Sequence, residues 1–473
     1  MALEFKLRDF AHPLALLRLR STFEQSQWLM PEEQTLFQEH LLRRIVEHAY
    51  RRVPYYRDLF DGIGLKPRDV RRLSDLDKIP ILTRETLCTQ FERLRATNSR
   101  AFRPQILCTS GTTGRKVQFL VDRPSNVLEF VYYWRHWNWA GYRLGDRFAE
   151  FSSLFFAKDE DKARLTACRR RLTNRLLLNS NAMSGATVRE YVRAIRKHRP
   201  LFLKGLPSVL YYFSLFLREQ RVADISFKAI FSTGEILAPR RRKLIEETFG
   251  CKVYDSYGHM ERTVAISECP CGGMHVNADY GVCELIRQDG LSGEFDDADR
   301  DGRTYAARVV GTSLYNFSMP LLRFDVGDYV LVEPEKKCAC GRQFPLVGAI
   351  SGRRSEVILT PDGKVITATF LVFEDAPDIL EGQIVQESLD RLRVRIVPAP
   401  SFGKSGEARL KPRLQALVGE AVRIEVELCE SRELLRGGAG KVRAVVSKLT
   451  ASDAGPDSFQ GVFQHSGRTV AEQ

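Results

Sequence analysis

The stretch LFLKGLPSVLYYFSLFLREQRVADISFKAIFSTGEILAPRRRKLIEETFGCKVYDSYG, residues 201–258, alternates short apolar runs with longer amphipathic ones. Three runs have the length and apolar content of strands: LFLKGL (201–206), FKAIFSTG (227–234) and CKVYDSYG (251–258). The segments between them have helical periodicity, as does VREYVRAIRKHRP (188–200) before them. This alternation predicts an α/β fold, a parallel sheet with helical crossovers. Ligands of such sheets bind at the carboxyl ends of the strands.

The sequence on both sides extends this pattern. Upstream, QILCTSGTTGRKVQFLVD (105–122) predicts strand, glycine-rich turn and strand, and EEQTLFQEHLLRRIVEHAYRR (32–52) predicts a basic helix that Pro54 interrupts. Downstream, the glycine-containing turns of AISGRRSEVILTPDGKVI (349–366) predict a hinge, followed by a compact βαβ-like unit. The polar, aperiodic end of the chain predicts a disordered tail.

These patterns predict a large multi-subdomain N-terminal domain with parallel sheets and helices, and a small α+β C-terminal domain. The expected boundaries are a helical part of the large domain at 1–100, the remainder of that domain at 101–352, a hinge at 353–356, the small domain at 357–450 and the disordered tail at 451–473.

The composition is that of a soluble globular protein. The 473 residues include 72 Lys and Arg against 59 Asp and Glu, a net charge of +13 that favours anionic ligands. No window holds the ~18 uninterrupted apolar residues of a transmembrane helix. The N-terminus breaks its apolar run with charges, unlike a secretory signal. Ten cysteines are too sparse for a disulfide scaffold, and we expect a cytoplasmic protein.

The turn TSGTTGRK (109–116) carries the residue types that bind phosphate. Its glycines let backbone N–H groups approach an anion, and its hydroxyls and lysine add further donors. It lacks the Gly-Lys-Ser/Thr order of the common NTPase loop. Taken alone, a turn of this composition is more often an ordinary loop than a phosphate-binding site.

Two cysteine pairs form a second candidate site. ECPCGGMH (268–275) and CACGR (338–342) offer five cysteine or histidine ligands, whereas a tetrahedral structural zinc site takes four. Neither pair has the stronger Cys-x-x-Cys spacing, so free thiols remain the alternative.

TSGTTGRK resembles the phosphate-binding loop of the adenylate-forming superfamily, which includes acyl-CoA synthetases, luciferases and peptide-synthetase adenylation domains. Five further segments resemble that superfamily's motifs in the same order: STGE (232–235) its adenine-contacting turn, YDSYGHME (254–261) its Tyr-Gly-x-Thr-Glu segment, RFDVGD (323–328) its Tyr-x-Thr-Gly-Asp segment, GRRSE (352–356) its hinge and GKVR (440–443) its C-terminal lysine motif. Independent coincidences multiply, so six motifs in register favour true membership.

Within the superfamily, VEHAYRRVPYYRDLFDGIGLKPRDVRRLSDLDKIPILTRETL (46–87) resembles the N-terminal signature of the phenylacetate-CoA ligase and CapK-like branch. The segment after Gly145-Asp146 is Arg-rich and lacks the Gly-rich aromatic stretch of phenylacetate ligases, which moves the likeness toward CapK-like members. That resemblance favours Cys269, His275, Cys338 and Cys340 as zinc ligands, with Cys271 as a substitute.

The resemblance also implies catalytic roles. Lys441 would neutralise the attacking carboxylate and the α-phosphate, Glu261 would bind Mg²⁺, and Arg353 would contact ribose or phosphate. The implied ATP-binding residues are Thr109, Ser110, Gly111, Thr112, Thr113, Gly114 and Lys116 for the phosphates, Gly234, Glu235, Asp255, Ser256, Tyr257 and Gly258 for the adenine region, and Asp328 for the ribose. Two positions depart from the family pattern: Met260 replaces a threonine, and Ser355 stands where the hinge carries Asp or Lys.

The resemblance thus implies an ATP-dependent, AMP-forming ligase that activates a carboxylic acid and passes the acyl group to a thiol, CoA first. One alternative is transfer to a non-thiol acceptor, as in coenzyme F390 synthetase-like or polysaccharide-related CapK-like members. A basic zinc-containing nucleic-acid-binding protein is a rival of another class, but no recognition-helix motif supports it, so no nucleic acid is expected. The acid and the oligomeric state, a homodimer included, stay open.

Overall fold

This computed structural model of the chain describes residues 13–110, 116–152, 174–179, 185–287, 291–292, 304–334, 336–353, 358–362, 365–366, 373, 378–400, 402, 404–435 and 442–449. The predicted tail at 451–473 lies outside the described residues, as do residues 354–356 of the predicted hinge.

The described α-helices concentrate in the first 250 residues. In chain order they are α1 (Pro13–Ser26), α2 (Pro31–Arg52), α3 (Pro54–Gly62), α4 (Arg84–Thr89), α5 (Phe91–Leu94), α6 (Arg123–Trp139), α7 (Gly185–His198), α8 (Pro207–Glu219), α9 (Pro239–Phe249) and α10 (Lys404–Val418). Short 3-10 helices lie at Pro67–Asp69, Leu73–Lys78, Ser99–Phe102 and Ser431–Glu433.

The described strands form five sheets. They are β1 (Gln105–Ser110), β2 (Lys116–Val121), β3 (Phe148–Ser152), β4 (Arg175–Asn179), β5 (Phe202–Gly205), β6 (Ala229–Thr233), β7 (Val253–Gly258), β8 (Ala265–Glu268), β9 (Met274–Val276), β10 (Gly281–Arg287), β11 (Leu291–Ser292), β12 (Tyr305–Ser313), β13 (Phe324–Val332), β14 (Leu346–Val347), β15 (Ile350–Arg353), β16 (Ile358–Leu359), β17 (Val365–Ile366), β18 (Ile379–Ser388), β19 (Arg391–Pro398), β20 (Arg423–Leu428) and β21 (Val445–Ser447).

The largest sheet has eight strands in the order β14-β9-β8-β7-β6-β5-β3-β4. Its strands from β4 to β7 are parallel, which confirms the alternation predicted from residues 188–258. Gly250 ends α9 with φ +64, a left-handed conformation that suits glycine at a helix C-terminus. Past β7 the sheet continues with antiparallel strands, so the prediction of parallel sheets describes only part of it. Short connections allow hairpins, whereas a parallel pair needs a long crossover.

Both faces of this sheet are covered, as parallel strands require. One face packs against α7, α8 and α9 through a cluster that includes Val192, Phe213 and Phe249. The other packs against α6 through aromatic side chains such as Tyr132 and Trp137. The aromatic stripe of α6 is therefore core.

A second, four-stranded sheet has the order β10-β12-β13-β15 and is antiparallel throughout. Its side chains share a hydrophobic core with α2 and α3, for example Ile45, Phe60 and Val330. The helix predicted at 32–52 is confirmed as α2, which ends before Pro54, the first residue of α3. The two strands predicted within 105–122 are confirmed as the antiparallel pair β1–β2, whereas the predicted turn at 111–115 lies outside the described residues.

The C-terminal region has its own core. Strands β20-β19-β18-β21 form a mixed sheet against α10, around Leu392, Leu414 and Ile424. The parallel pair β19–β20 with α10 between them confirms the predicted βαβ-like unit. Among the described helices, none combines the length and apolar character needed to cross a membrane.

A buried ion pair ties α1 and α6 to the segment after β9. Arg135 of α6 donates to Asp279 through two nitrogens, Nη2–Oδ1 at 3.0 Å and Nη1–Oδ2, and also to the backbone oxygen of Phe23 at 2.8 Å. The side chains of Arg135 and Asp279 are only 3% and 1% exposed. Removing one partner would leave an uncompensated buried charge.

We expect Asp279→Ala to lower the free energy of unfolding by about 3–5 kcal/mol, since the Arg135 charge would stay buried without its partner. Asp224→Ala is the matched control, because Asp224 pairs with Arg196 with both side chains more than half exposed, at 57% and 51%. The control should lose at most about 1 kcal/mol. Denaturant unfolding followed by tryptophan fluorescence compares them, and equal losses would contradict the expectation.

Candidate functional site

The first part of the site lies where β6 and β7 end. Thr233 closes β6, and Gly234 follows with φ +83, a conformation that side chains disfavour. The Ser232 hydroxyl donates to Asp255 Oδ1 at 2.5 Å, and the Ser256 hydroxyl donates to the Ser232 carbonyl at 3.0 Å. The two predicted segments, 232–235 and 254–261, are therefore held against each other at the carboxyl edge of the sheet.

Asp255 is engaged within the sheet. Burial raises the pKa of its carboxyl to about 7, the nearby Glu268 adds to this, and the Ser232 hydrogen bond opposes it. Its backbone N–H donates to Glu268 Oε2 at 2.9 Å. These contacts make Asp255 a strand-to-strand link, and its role toward a nucleotide stays a prediction.

The second part of the site joins the two large sheets. The Tyr257 hydroxyl, at the end of β7, donates to Asp328 Oδ2 on β13 at 2.7 Å. Asp328 is 5% exposed and lies opposite Arg353 in the register of β13 with β15. Tyr257, Asp328 and Arg353, which were predicted from three separate motifs, are thus neighbours in the structure. A carboxylate there can accept from two hydroxyls at once.

Glu261 is the buried carboxylate of the site. Its side chain is 3% exposed, and Arg84 Nη2 donates to its Oε1 at 3.0 Å. His259 Nδ1 lies 3.1 Å from its Oε2. His259 Nε2 lies 3.2 Å from the backbone nitrogen of Val264, which can only donate, so Nε2 accepts and Nδ1 carries the proton. His259 therefore donates to Glu261.

These partners keep Glu261 ionised. Burial alone would favour the neutral acid, but the hydrogen bond from His259 and the positive charge of Arg84 outweigh it, so the pKa of Glu261 lies well below its usual range. An ionised, buried carboxylate is the oxygen ligand that Mg²⁺ prefers. Met260, which replaces the family's threonine, packs partly buried against the core instead.

The sequence did not single out Arg84 or His259 for a role. The signal for His259 is its place two residues before a candidate metal ligand. Gly111 to Gly114, Ser355 and Lys441 lie outside the described residues, and the roles of Thr109, Ser110, Lys116 and Arg353 stay predictions.

The four residues favoured as zinc ligands lie together. The ligand atoms of Cys269, His275, Cys338 and Cys340 are all within 4.8 Å of one another. Cys269 Sγ lies 3.3 Å from Cys338 Sγ, and Cys340 Sγ lies 3.2 Å from His275 Nε2. Cys271, the substitute, is exposed and outside this group.

The geometry of this Cys₃His cluster fits a tetrahedral cation. Bonds of 2.0–2.3 Å to zinc place neighbouring ligand atoms roughly 3.3–3.8 Å apart. His275 Nδ1 donates to the Phe344 carbonyl at 3.1 Å, which leaves Nε2 as the ligand atom, an orientation common among metal-binding histidines. Burial lowers the pKa of His275, so the imidazole is in the neutral form that a metal requires.

The cluster joins two loops that flank the site. Cys269 begins the turn between β8 and β9, and Cys338 and Cys340 lie between β13 and β14. The loops are closely packed, because a Cβ on Gly273 would lie 2.9 Å from Cys338 Sγ. β14 then pairs with β9, Leu346 opposite His275.

Comparisons with known proteins bear on this arrangement. No family model matches the chain. Protein CapK of Staphylococcus aureus is 25% identical over 232 residues, which is 47% of this chain and 48% of CapK, so the match spans about half the length of that relative. The phenylacetate-coenzyme A ligase of Thermus thermophilus is 26% identical over 464 residues, 88% of this chain and 98% of that relative.

Solved structures show the same fold. A crystal structure of a 2-hydroxyisobutyryl-CoA ligase in the postadenylation state matches with a TM-score of 0.68 and 21% identity, over 90% of this chain and 91% of that one. The likeness therefore extends over most of the chain in both sequence and fold. The chain is a distant homologue of phenylacetate-CoA ligases over most of its length and of CapK over about half, in agreement with the resemblance of its motifs to the adenylate-forming superfamily.

Proposed function

We propose that this protein is an ATP-dependent, AMP-forming ligase that converts a carboxylic acid into an acyl-adenylate and transfers the acyl group to the thiol of CoA. The observation that carries the proposal is the hydrogen bond from Tyr257, at the end of β7, to the buried Asp328 on β13, with the buried carboxylate of Glu261 four residues after Tyr257 in the chain. CoA is proposed as the acceptor because the relatives are phenylacetate-coenzyme A ligases.

In the proposed reaction the protein forms no covalent bond with the substrates. A carboxylate oxygen attacks the α-phosphate in line and pyrophosphate leaves, so positioning and charge stabilisation carry the rate. Asp328 would accept from the ribose hydroxyls, and Tyr257 would fix that carboxylate through its hydrogen bond. Lys441 would stabilise charge on the attacking carboxylate and the α-phosphate.

Mg²⁺ fits the oxygen donors of Glu261, and when bound it would offset negative charge on the phosphates. Glu261 would hold this cation because its carboxyl is ionised inside the protein. The turn at 109–116 would provide backbone N–H groups for the same phosphates.

We infer a division of labour between two domains. The described residues before 353 would bind ATP and acid, and residues 357–450 would form a lid that carries Lys441. The separate hydrophobic core around Leu392, Leu414 and Ile424 supports this division, since a domain needs a core of its own.

The direct test is a panel of carboxylic acids scored by ATP–pyrophosphate exchange, repeated with CoA and followed by loss of free thiol. One or more acids should support exchange, and CoA should then be consumed. Exchange without thiol loss would favour a non-thiol acceptor. No exchange with any acid in a broad panel would count against the ligase itself.

We also propose that the Cys₃His cluster holds a structural zinc ion. Four soft or borderline ligands close a tetrahedral site without a position for substrate, which suits structure rather than catalysis. Its place between the loops after Glu261 and after Asp328 suggests a brace for the nucleotide site.

The zinc proposal predicts about one zinc ion per chain in protein purified without chelators. Cys338→Ala should lose the metal and lower the Tm on the order of 10 °C, because a closed zinc site contributes directly to folding. The matched control is Cys271→Ala, an exposed cysteine of the same region, which should keep both metal and Tm. Elemental analysis and calorimetry measure the two properties, and a metal-free wild type would refute the site.

The ribose assignment predicts that Asp328→Ala weakens ATP and AMP binding equally, by about 2–4 kcal/mol, because both nucleotides would lose the same charge-assisted partners. Isothermal titration calorimetry measures both. Asp224→Ala, a distant exposed carboxylate, serves as control. Unchanged affinity in Asp328→Ala would place the ribose elsewhere.

The lysine assignment predicts that Lys441→Ala lowers ATP–pyrophosphate exchange by about 10²–10³, since one pre-placed charge is lost where negative charge develops. Supplied with preformed acyl-adenylate, the variant should form the thioester at near wild-type rate. Lys448→Ala is the control, a lysine of the same region that pairs with Glu387. Equal damage to both half-reactions would indicate a structural role for Lys441.

A further inference from the structure

We propose that Arg84 is a further residue of the nucleotide site and binds the terminal phosphates of ATP. The inference rests on the proposed function, because it assumes that ATP occupies the site built around Asp328 and Glu261. It adds a cation from the N-terminal part of the chain, outside all six motifs that the sequence displays.

The backbone around Arg84 is fixed to the strand that carries Asp328. Leu82 forms a parallel bridge with Phe324, the first residue of β13. Its N–H donates to the Arg323 carbonyl and its carbonyl accepts from the Asp325 N–H, both at 2.9 Å. Arg84 follows two residues later and opens α4, where Thr83 accepts from the Thr86 N–H. Its position relative to Asp328 is therefore set by short, rigid connections.

The helix α4 also packs against the strand that follows the predicted phosphate turn in sequence. It packs against β2, which starts at Lys116 where that turn ends, and against β13. Arg84 thus belongs to an element that contacts both β2 and β13, the strand that carries Asp328. A group at this place is near the triphosphate end of a nucleotide rather than its base, since the Gly234 turn lies at the end of β6 in the other sheet.

The side chain of Arg84 contacts the buried carboxylate of Glu261 and is itself partly exposed. Its guanidinium donates to Glu261 at 3.0 Å, and the two side chains are 26% and 3% exposed. A guanidinium has five N–H donors in a rigid fork that matches phosphate oxygens, so it can hold Glu261 and a phosphate together or move between them.

The charges of the site explain why this cation would matter. Glu261 is a fixed negative charge, and it would repel the triphosphate that must lie beside it. Arg84 offsets that charge at close range, while His259, in the tautomer with one proton on Nδ1, holds the other carboxylate oxygen. When a cation binds Glu261, Arg84 would be available to the phosphates. AMP has no β- or γ-phosphate, so it should not need Arg84.

The test compares ATP and AMP binding by calorimetry, with Mg²⁺ present, in wild type, Arg84→Ala, Arg84→Lys and the control Arg93→Ala. Arg93 lies in the adjacent α5 and pairs with Asp58 with both side chains about half exposed or more. Arg84→Ala should weaken ATP binding about 10- to 100-fold, the range of one charged hydrogen-bond partner, and change AMP binding less than about twofold. Inhibition of acyl-CoA formation by added pyrophosphate, the product that leaves, should weaken in parallel.

Arg84→Lys keeps the charge but loses the fork, so its ATP affinity should lie between wild type and Arg84→Ala. Arg93→Ala should match wild type for both nucleotides. Equal weakening of ATP and AMP would show that Arg84 only maintains Glu261 and the fold, and unchanged ATP affinity would also overturn the proposal. AMP binding by the variants reports whether the site is still folded.

The outcome separates this inference from the proposed function. The wild type could bind ATP and AMP and support exchange while Arg84→Ala keeps the wild-type preference for ATP over AMP. That result would refute the role of Arg84 but leave the proposed ligase function intact. A wild type that binds neither nucleotide would remove both proposals.

Discussion

The site depends on keeping one carboxylate ionised inside the protein. A carboxylate taken out of water costs several kcal/mol unless partners compensate for the lost hydration. Glu261 has those partners in Arg84, 177 residues earlier in the chain, and in His259 beside it. Arg84 in turn is held by the bridge from Leu82 to β13. The charge of Glu261 therefore couples the N-terminal segment, the end of β7 and the strand that carries Asp328.

The Cys₃His cluster constrains the chain segments that follow Glu261 and Asp328. It joins the turn after β8 to the loop after β13, so both strands that lead away from the site are tied at their far ends. The close packing of these two loops explains why a glycine stands at position 273. Gly273 approaches Cys338 so closely that a larger residue would displace this candidate ligand. The N-terminal segment and the cluster thus limit the movement of Glu261 and Asp328 relative to each other.

Sequence patterns predicted the elements whose periodicity is long and regular, from α7 to β7, because each of them has a continuous helix or strand pattern. They did not predict β4 and β21, short strands that exist only because a neighbouring strand pairs with them. The five candidate ligands of the cysteine cluster were visible because they sit in compact motifs, and the resemblance to CapK-like proteins favoured the four that the structure brings together. Arg84 lies within the 46–87 signature, but that pattern does not assign it a role, because its contact is with a partner that is distant in sequence.

Two carboxyl groups of one short segment show how environment, rather than residue type, divides the roles in this site. Burial, with Glu268 nearby, raises the pKa of Asp255 to about 7, so near neutral pH it is often protonated and serves the strand pairing with Ser232. Glu261 is also buried, yet His259 and Arg84 lower its pKa and keep it charged. Environments that separate two carboxyl groups in this way assign them different chemistry. Of these two residues, Glu261 alone is a fixed anion, and it is therefore the one to which a cation and its phosphates would be drawn.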